Sequence, residues 1–216
     1  ESLINIVSLG ILSGLFVFNR PPDALLVIPI VYYVIRFSRK HVKYYALAGI
    51  ASSFPFLLYN LLIFGTIFGG YAHDFHQYVF SGNFIIHYLG LLISPNVGLF
   101  IFTPVLILSV IGYFKLKDMD NPHIASTLFV FGPAILLTIL TYSFFDGWWS
   151  TWCYGPRYMT GIVPVLIIWC ALFLDAFIKS PVSQHRKSCI AVIIIILVIA
   201  SVIIQFIGVY YYAFYP

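Results

Sequence analysis

Two arginines, Arg20 and Arg157, stand apart from the other basic residues of this 216-residue chain. Each lies where an apolar stretch meets a polar loop, whereas nine of the eleven Lys and Arg residues fall in three other loops. The planar guanidinium binds phosphate oxygens through paired hydrogen bonds. We expect one or both arginines to contact an anionic lipid headgroup or a lipid-phosphate substrate. The alternatives are an interfacial arginine that reaches water, or an Arg–Asp pair that only fixes a helical bundle.

A second candidate site is the aromatic segment that ends at Arg157. Asp146 begins it, and Trp148, Trp149 and Tyr154 follow within eight positions. Aromatic faces pack against the apolar face of a sugar ring, and a carboxylate accepts hydrogen bonds from hydroxyls. The alternative is a belt of Trp and Tyr at a membrane interface, which explains any single tryptophan well. The belt explains the whole Asp-Gly-Trp-Trp and Gly-Pro-Arg cluster less well.

The run His73-Asp74-x-His76 carries side chains of the kind that bind metals. No second set of ligands accompanies it, and the three cysteines have neither metal-like nor disulfide-framework spacing. We therefore expect a solvated loop here and predict neither a metal nor a cofactor. Asp74 stays a candidate substrate contact or general base.

The composition defines the class of protein. About 62% of the residues are apolar, 8% are charged, and the mean hydropathy is +1.01. A soluble domain is about 45–50% apolar and roughly 25% charged. This excess excludes a soluble enzyme, a nucleic-acid-binding module and a disordered segment, and it predicts an integral membrane protein whose apolar surface faces lipid.

Seven apolar stretches reach or approach the roughly 20 residues with which a helix crosses a bilayer. They are residues 2–18, 24–37, 44–64, 99–114, 124–144, 158–178 and 189–212. The sequence therefore predicts an all-α fold, a polytopic transmembrane helical bundle of about seven spans in a single transmembrane domain. Residues 84–93 are too short to span, so we expect them to form an interfacial helix in an outer loop or, alternatively, a re-entrant segment.

The basic loops set the orientation. They follow the second, fourth and sixth stretches, and basic loops face the cytoplasm. The outer loops then lie near residues 19–23, 65–98 and 145–157, and we expect a plasma-membrane protein with an extracytoplasmic active face. The chain begins at Glu1 without a Met, which we interpret as the C-terminal portion of a longer membrane protein.

Short glycine-, proline- and aromatic-rich motifs run through the outer segments. They are Arg20-Pro21, Tyr59-Asn60, Phe64-Gly65, Gly70-Tyr71, Gly90-Leu91-Leu92, Ser94-Pro95, Gly98-Leu99-Phe100, Thr103-Pro104, Gly147-Trp148-Trp149, Tyr154-Gly155-Pro156-Arg157-Tyr158 and Pro164. Together they resemble the polytopic glycosyltransferases of the GT-C superfamily, in the branch that holds protein mannosyltransferases and the aminoarabinose transferase.

That resemblance implies a membrane enzyme with a polyprenyl-phosphate-linked sugar as donor and a glycan, lipid or protein as acceptor, working among membrane lipids and without nucleic acid. It places the acidic catalytic base in a first outer loop, upstream of this chain, and it does not require a metal. Arg157 is then the first candidate for the lipid phosphate and Arg20 the second. Asp146 and the tryptophans would orient the sugar or the acceptor.

Two other functions stay open from the sequence. One is a polytopic transporter or lipid flippase, a class that often has broken helices and charges at mid-membrane depth. The other is a non-catalytic subunit of a membrane complex. The ionisable groups outside the basic loops gather at one rim, which favours an interfacial reaction over passage through the bilayer.

Overall fold

The structure, a computed structural model, describes residues 2–67, 69, 83–145, 147–149, 153–181 and 183–211. Their regular structure is helical, with no strand, which confirms the all-α fold class. The α-helices of this part of the chain are α1 (Leu3–Asn19), α2 (Ile28–Phe37), α3 (Val42–Phe64), α4 (Phe84–Ile93), α5 (Leu99–Phe102), α6 (Leu108–Phe114), α7 (Pro122–Ser143), α8 (Val163–Lys179) and α9 (Gln184–Tyr211). Short 3-10 segments cover Pro21–Val27, Arg39–His41, Pro104–Ile107, Leu116–Asp118 and Arg157–Met159.

Three helical segments are long and apolar enough to cross a membrane, judged over the described residues by length and composition. They are Arg39–Phe64, Pro122–Ser143 and Gln184–Tyr211. These segments support a membrane protein with transmembrane helices. The other four predicted spans are also helical but are shorter or interrupted, so the count of seven stays a prediction.

The fourth predicted span, residues 99–114, is broken near its start. α5 ends at Phe102, and Thr103 adopts φ −140° and ψ 71°, because a residue before proline is pushed out of the helical region. The chain resumes as the 3-10 segment Pro104–Ile107 and then as α6.

Side chains of α9 complete the hydrogen bonding at this break. The Nε2 of Gln205 donates to the Phe102 carbonyl at 3.0 Å, and the Val105 N–H donates to the Ser201 Oγ at 3.1 Å. Irregular backbone at membrane depth is tolerated where protein groups satisfy it. The last helix is therefore fixed to the break by polar contacts as well as by packing.

α1 and α3 run parallel in close contact. The Tyr45 hydroxyl donates to the Ser13 Oγ at 2.9 Å, Gly14 lies against Ser52, and Phe18 stacks on Phe56 with ring centroids 6.0 Å apart. Small residues let two membrane helices approach this closely. The contacting residues have rising numbers along both helices, so α1 and α3 point in the same direction. Residues 20–41 must therefore cross back to the end of the bundle where α1 begins, as alternating spans require.

The bundle has two chemically different ends. At one end α7 meets the start of the 3-10 segment Pro21–Val27 through Tyr142; at the other, the His123 ring lies 4.3 Å from the Phe37 ring between centroids. We call the first the Arg20 end, since Arg20 and Arg157 lie there. We call the second the basic end, since α2 leads there into the loop with Arg36 and Arg39.

Candidate functional site

The two outlying arginines meet in space although 137 positions separate them. Arg20 is extended (φ −150°, ψ 105°) and ends α1, as expected of a residue before Pro21. Its Nη1 donates to the Arg157 carbonyl oxygen and, at 2.8 Å, to the Thr160 Oγ1. The Thr160 hydroxyl itself donates to the Arg157 carbonyl at 2.9 Å. Arg20 thus holds the backbone of the turn that carries Arg157.

The guanidinium of Arg157 is left available by this arrangement. The residue is exposed, and within the described residues its side chain has no hydrogen bond or ion pair. Met159, two positions on, is fully buried and anchors the same 3-10 turn. A charged side chain on an anchored turn, with a second arginine at its own backbone carbonyl, is able to bind an anion.

A buried carboxylate lies near Arg20. Asp23 is only 2% exposed, and its Oδ1 accepts a hydrogen bond from the Tyr142 hydroxyl at 2.9 Å. A methyl group added at Gly161 would lie 2.5 Å from the Asp23 Oδ2, so the glycine leaves room for the carboxylate. Burial raises the pKa of Asp23, whereas the Tyr142 hydrogen bond and the Arg20 charge lower it.

An aromatic stack connects the carboxylate to the arginine turn. The rings of Tyr142 and Tyr158 are stacked, with centroids 4.8 Å apart and planes 11° apart. Tyr158 directly follows Arg157, so the stack and the Arg20 hydrogen bonds hold the same turn from two sides. The Arg20 end therefore has a rigid base and an exposed cation.

The two described tryptophans of the aromatic segment differ in exposure. Trp148 stacks on the His87 ring at 5.2 Å and packs over Gly90, and the His87 Nδ1 lies 3.0 Å from the Ser143 carbonyl oxygen. Trp149 is 45% exposed and meets Trp148 edge-on at 6.1 Å. Trp148 is fixed on α4, and Trp149 presents the accessible aromatic surface.

Tyr154 fixes the segment to α9. Its hydroxyl donates to the Ile204 carbonyl at 2.6 Å, its ring meets Phe102 edge-on at 4.8 Å, and Gly208 lies directly against it. The Tyr154 hydroxyl and its contact with Phe102 therefore already serve helix packing. The role of Tyr154 as a sugar contact stays a prediction.

Two predicted site residues, Asp146 and Asp74, lie outside the described residues, as do His73 and His76. Among the described residues no group of three His, Cys, Asp or Glu side chains is placed to hold a metal ion. Away from the site, Asp175 and Lys179 form an ion pair, with 2.8 Å between Oδ2 and Nζ.

Asp23 was not selected from the sequence as a site residue, and its burial was missed. The sequence does contain an indication: Asp23 lies between Pro22 and an apolar run, where an acidic side chain is costly to bury unless it has a partner. Its partner Tyr142 could not be predicted from the sequence, because 119 positions separate the two residues.

No known protein family, characterised protein or solved structure matches the chain. The resemblance to GT-C glycosyltransferases therefore rests on the motifs alone and stays a prediction.

Proposed function

We propose that this chain is part of a membrane glycosyltransferase that moves a sugar from a polyprenyl-phosphate donor to an acceptor at the extracytoplasmic face. The observation that carries the proposal is the Arg157 guanidinium, exposed on an anchored turn beside Arg20. Both lie at the end of the bundle opposite Arg36 and Arg39.

In this proposal the lipid phosphate is the leaving group. Negative charge grows on its oxygens as the bond to the anomeric carbon breaks, and cations fixed beforehand stabilise that charge without reorganising. Arg157 contacts the phosphate. Arg20 fixes the Arg157 backbone and adds a second positive charge nearby. Trp149 offers an exposed ring for the sugar or the acceptor.

The GT-C resemblance implies that the catalytic base is an acidic residue upstream of this chain. Asp23 is the one acidic residue that the described structure places in this cluster, but it is 2% exposed and its Oδ1 is occupied by Tyr142. A base must reach the proton that it removes. Asp23 is therefore a positioning residue in this scheme.

The test compares Arg157→Ala and Arg157→Lys in the full-length protein with an Arg186→Ala control. Arg186 is exposed near the start of α9, at the basic end. Mass spectrometry of lipid-linked sugars and glycan products in cells should show donor accumulating and product lost for Arg157→Ala, partial loss for Arg157→Lys and no change for Arg186→Ala. Wild-type product levels in a correctly inserted Arg157→Ala protein would refute the proposal.

A lipid flippase is the second candidate, favoured by the broken helix at Thr103, since discontinuous helices form substrate paths in transporters. Reconstituted full-length protein separates the two functions. A flippase moves labelled polyprenyl-phosphate sugar between leaflets with the sugar still attached, whereas a transferase transfers the sugar to another molecule.

A further inference from the structure

The basic end carries an open pocket that the proposed reaction does not use. Its volume is about 410 Å³, and Tyr32, Ile35, Arg36 and Arg39 line it. Tyr32, Ile35 and Arg36 come from the last turns of α2, and Arg39 begins the 3-10 segment Arg39–His41. Ser38 leaves the helix with φ −133° and ψ 34°, so the chain turns here and both arginines line one pocket.

The positive charge of this pocket is unbalanced. Within the described residues the ion pairs are Lys115 with Asp118 at 3.5 Å and Lys179 with Asp175 at 2.8 Å. Neither Arg36 nor Arg39 has a carboxylate partner there, and both are exposed. Two like charges that line one pocket repel each other, so an anion between them is stabilised by both.

The position of the pocket indicates where the anion comes from. The helical segment long and apolar enough to cross a membrane begins at Arg39, and its first turn is basic, so the pocket lies at the boundary between apolar and polar surroundings. Lipid phosphates occupy that depth. Ile35 also lines the pocket and is 52% exposed, so it provides an apolar surface for the carbon atoms of a lipid, which a free phosphate ion does not need.

We propose that this pocket binds the phosphate of an anionic phospholipid, with Arg36 and Arg39 on its oxygens and Tyr32 and Ile35 against the glycerol and first acyl carbons. The proposal is independent of the glycosyltransferase function, since it concerns the opposite end of the bundle. A guanidinium pair at this depth would fix the turn between α2 and α3 to the membrane surface.

The test measures lipid retention by native mass spectrometry on purified full-length protein from equimolar phosphatidylglycerol and phosphatidylcholine. The wild type should retain phosphatidylglycerol selectively. Arg36→Gln with Arg39→Gln should reduce that selectivity by about 30-fold, because each basic residue near an anionic headgroup contributes about a fivefold factor. Arg36→Lys with Arg39→Lys keeps the charge without the fork and should give an intermediate loss.

The matched control is Lys117→Gln with Arg186→Gln, which removes two exposed charges outside the pocket. Its selectivity should stay within about threefold of the wild type. Equal losses in control and pocket variants would overturn the site in favour of diffuse surface charge, and unchanged retention in the pocket variant would overturn it outright. Displacement of the lipid by millimolar inorganic phosphate would overturn the lipid assignment. Each variant is first checked for wild-type elution on size exclusion.

Discussion

Replacing Tyr142 by phenylalanine tests whether the buried carboxylate stabilises the Arg20 end. The change removes the hydroxyl that donates to the Asp23 Oδ1 at 2.9 Å but keeps the ring that stacks on Tyr158. Because Asp23 is only 2% exposed, water cannot replace the donor, and a buried acceptor left without its partner costs about 1–3 kcal/mol. We expect the free energy of unfolding to fall by that amount.

The assay is reversible unfolding of the full-length protein in bicelles, with Tyr44→Phe as the matched control. Tyr44 is 39% exposed, and its change should stay within about 0.5 kcal/mol. A double-mutant cycle with Asp23→Ala isolates the contact, since Tyr142→Phe should cost little once the carboxylate is gone. An equal cost of Tyr142→Phe with and without Asp23 would refute the interaction.

Three further outcomes follow from the same contacts. The free energy of unfolding should fall as pH rises from 3.8, the ordinary pKa of Asp, toward the raised pKa of Asp23. In that range the folded state keeps a proton that the unfolded state has lost. Asp23→Asn should remove this pH dependence when unfolding is measured across pH. Gly161→Ala places a methyl group 2.5 Å from the Asp23 Oδ2 and should lower the unfolding free energy by about 1–3 kcal/mol, seen as a lower melting temperature; an unchanged melting temperature would contradict the packing described. Gln205→Leu removes the 3.0 Å hydrogen bond to the Phe102 carbonyl and should cost about 1–3 kcal/mol, against little change for the exposed Gln184→Leu in the same unfolding assay.

The helical fold was accessible from the sequence because membrane helices are specified by local apolar runs. The predicted helix at residues 84–93 is present with the same bounds as α4, and α3 contains the predicted span 44–64. The interruptions were less accessible. The predicted second span begins instead as the 3-10 segment Pro21–Val27, and the fourth breaks after Phe102. A proline marks where the backbone can be interrupted, but the hydrogen bonds from α9 that satisfy the break after Phe102 come from residues distant in sequence.

The candidate site was predicted in part. Arg20 and Arg157 were selected for their position at the edges of apolar stretches, and the structure brings them together. Their different positions, with Arg20 hydrogen-bonded and Arg157 exposed, were not predictable from the sequence. They depend on contacts of Arg20 with Thr160 and with a backbone carbonyl oxygen, which residue type does not specify. Asp23 was missed for the same reason: only the fold shows that Tyr142 reaches it.

The polar contacts between α9 and the break at Thr103 also determine what a shortened chain would lose. A polypeptide that ends before Ser201 lacks the Ser201 and Gln205 side chains, which form hydrogen bonds with the Val105 N–H and the Phe102 carbonyl. Such a product would present bare peptide groups within the hydrocarbon layer, at a cost of several kcal/mol for each. A chain without α9 would therefore be less stable in a bilayer than one that contains it.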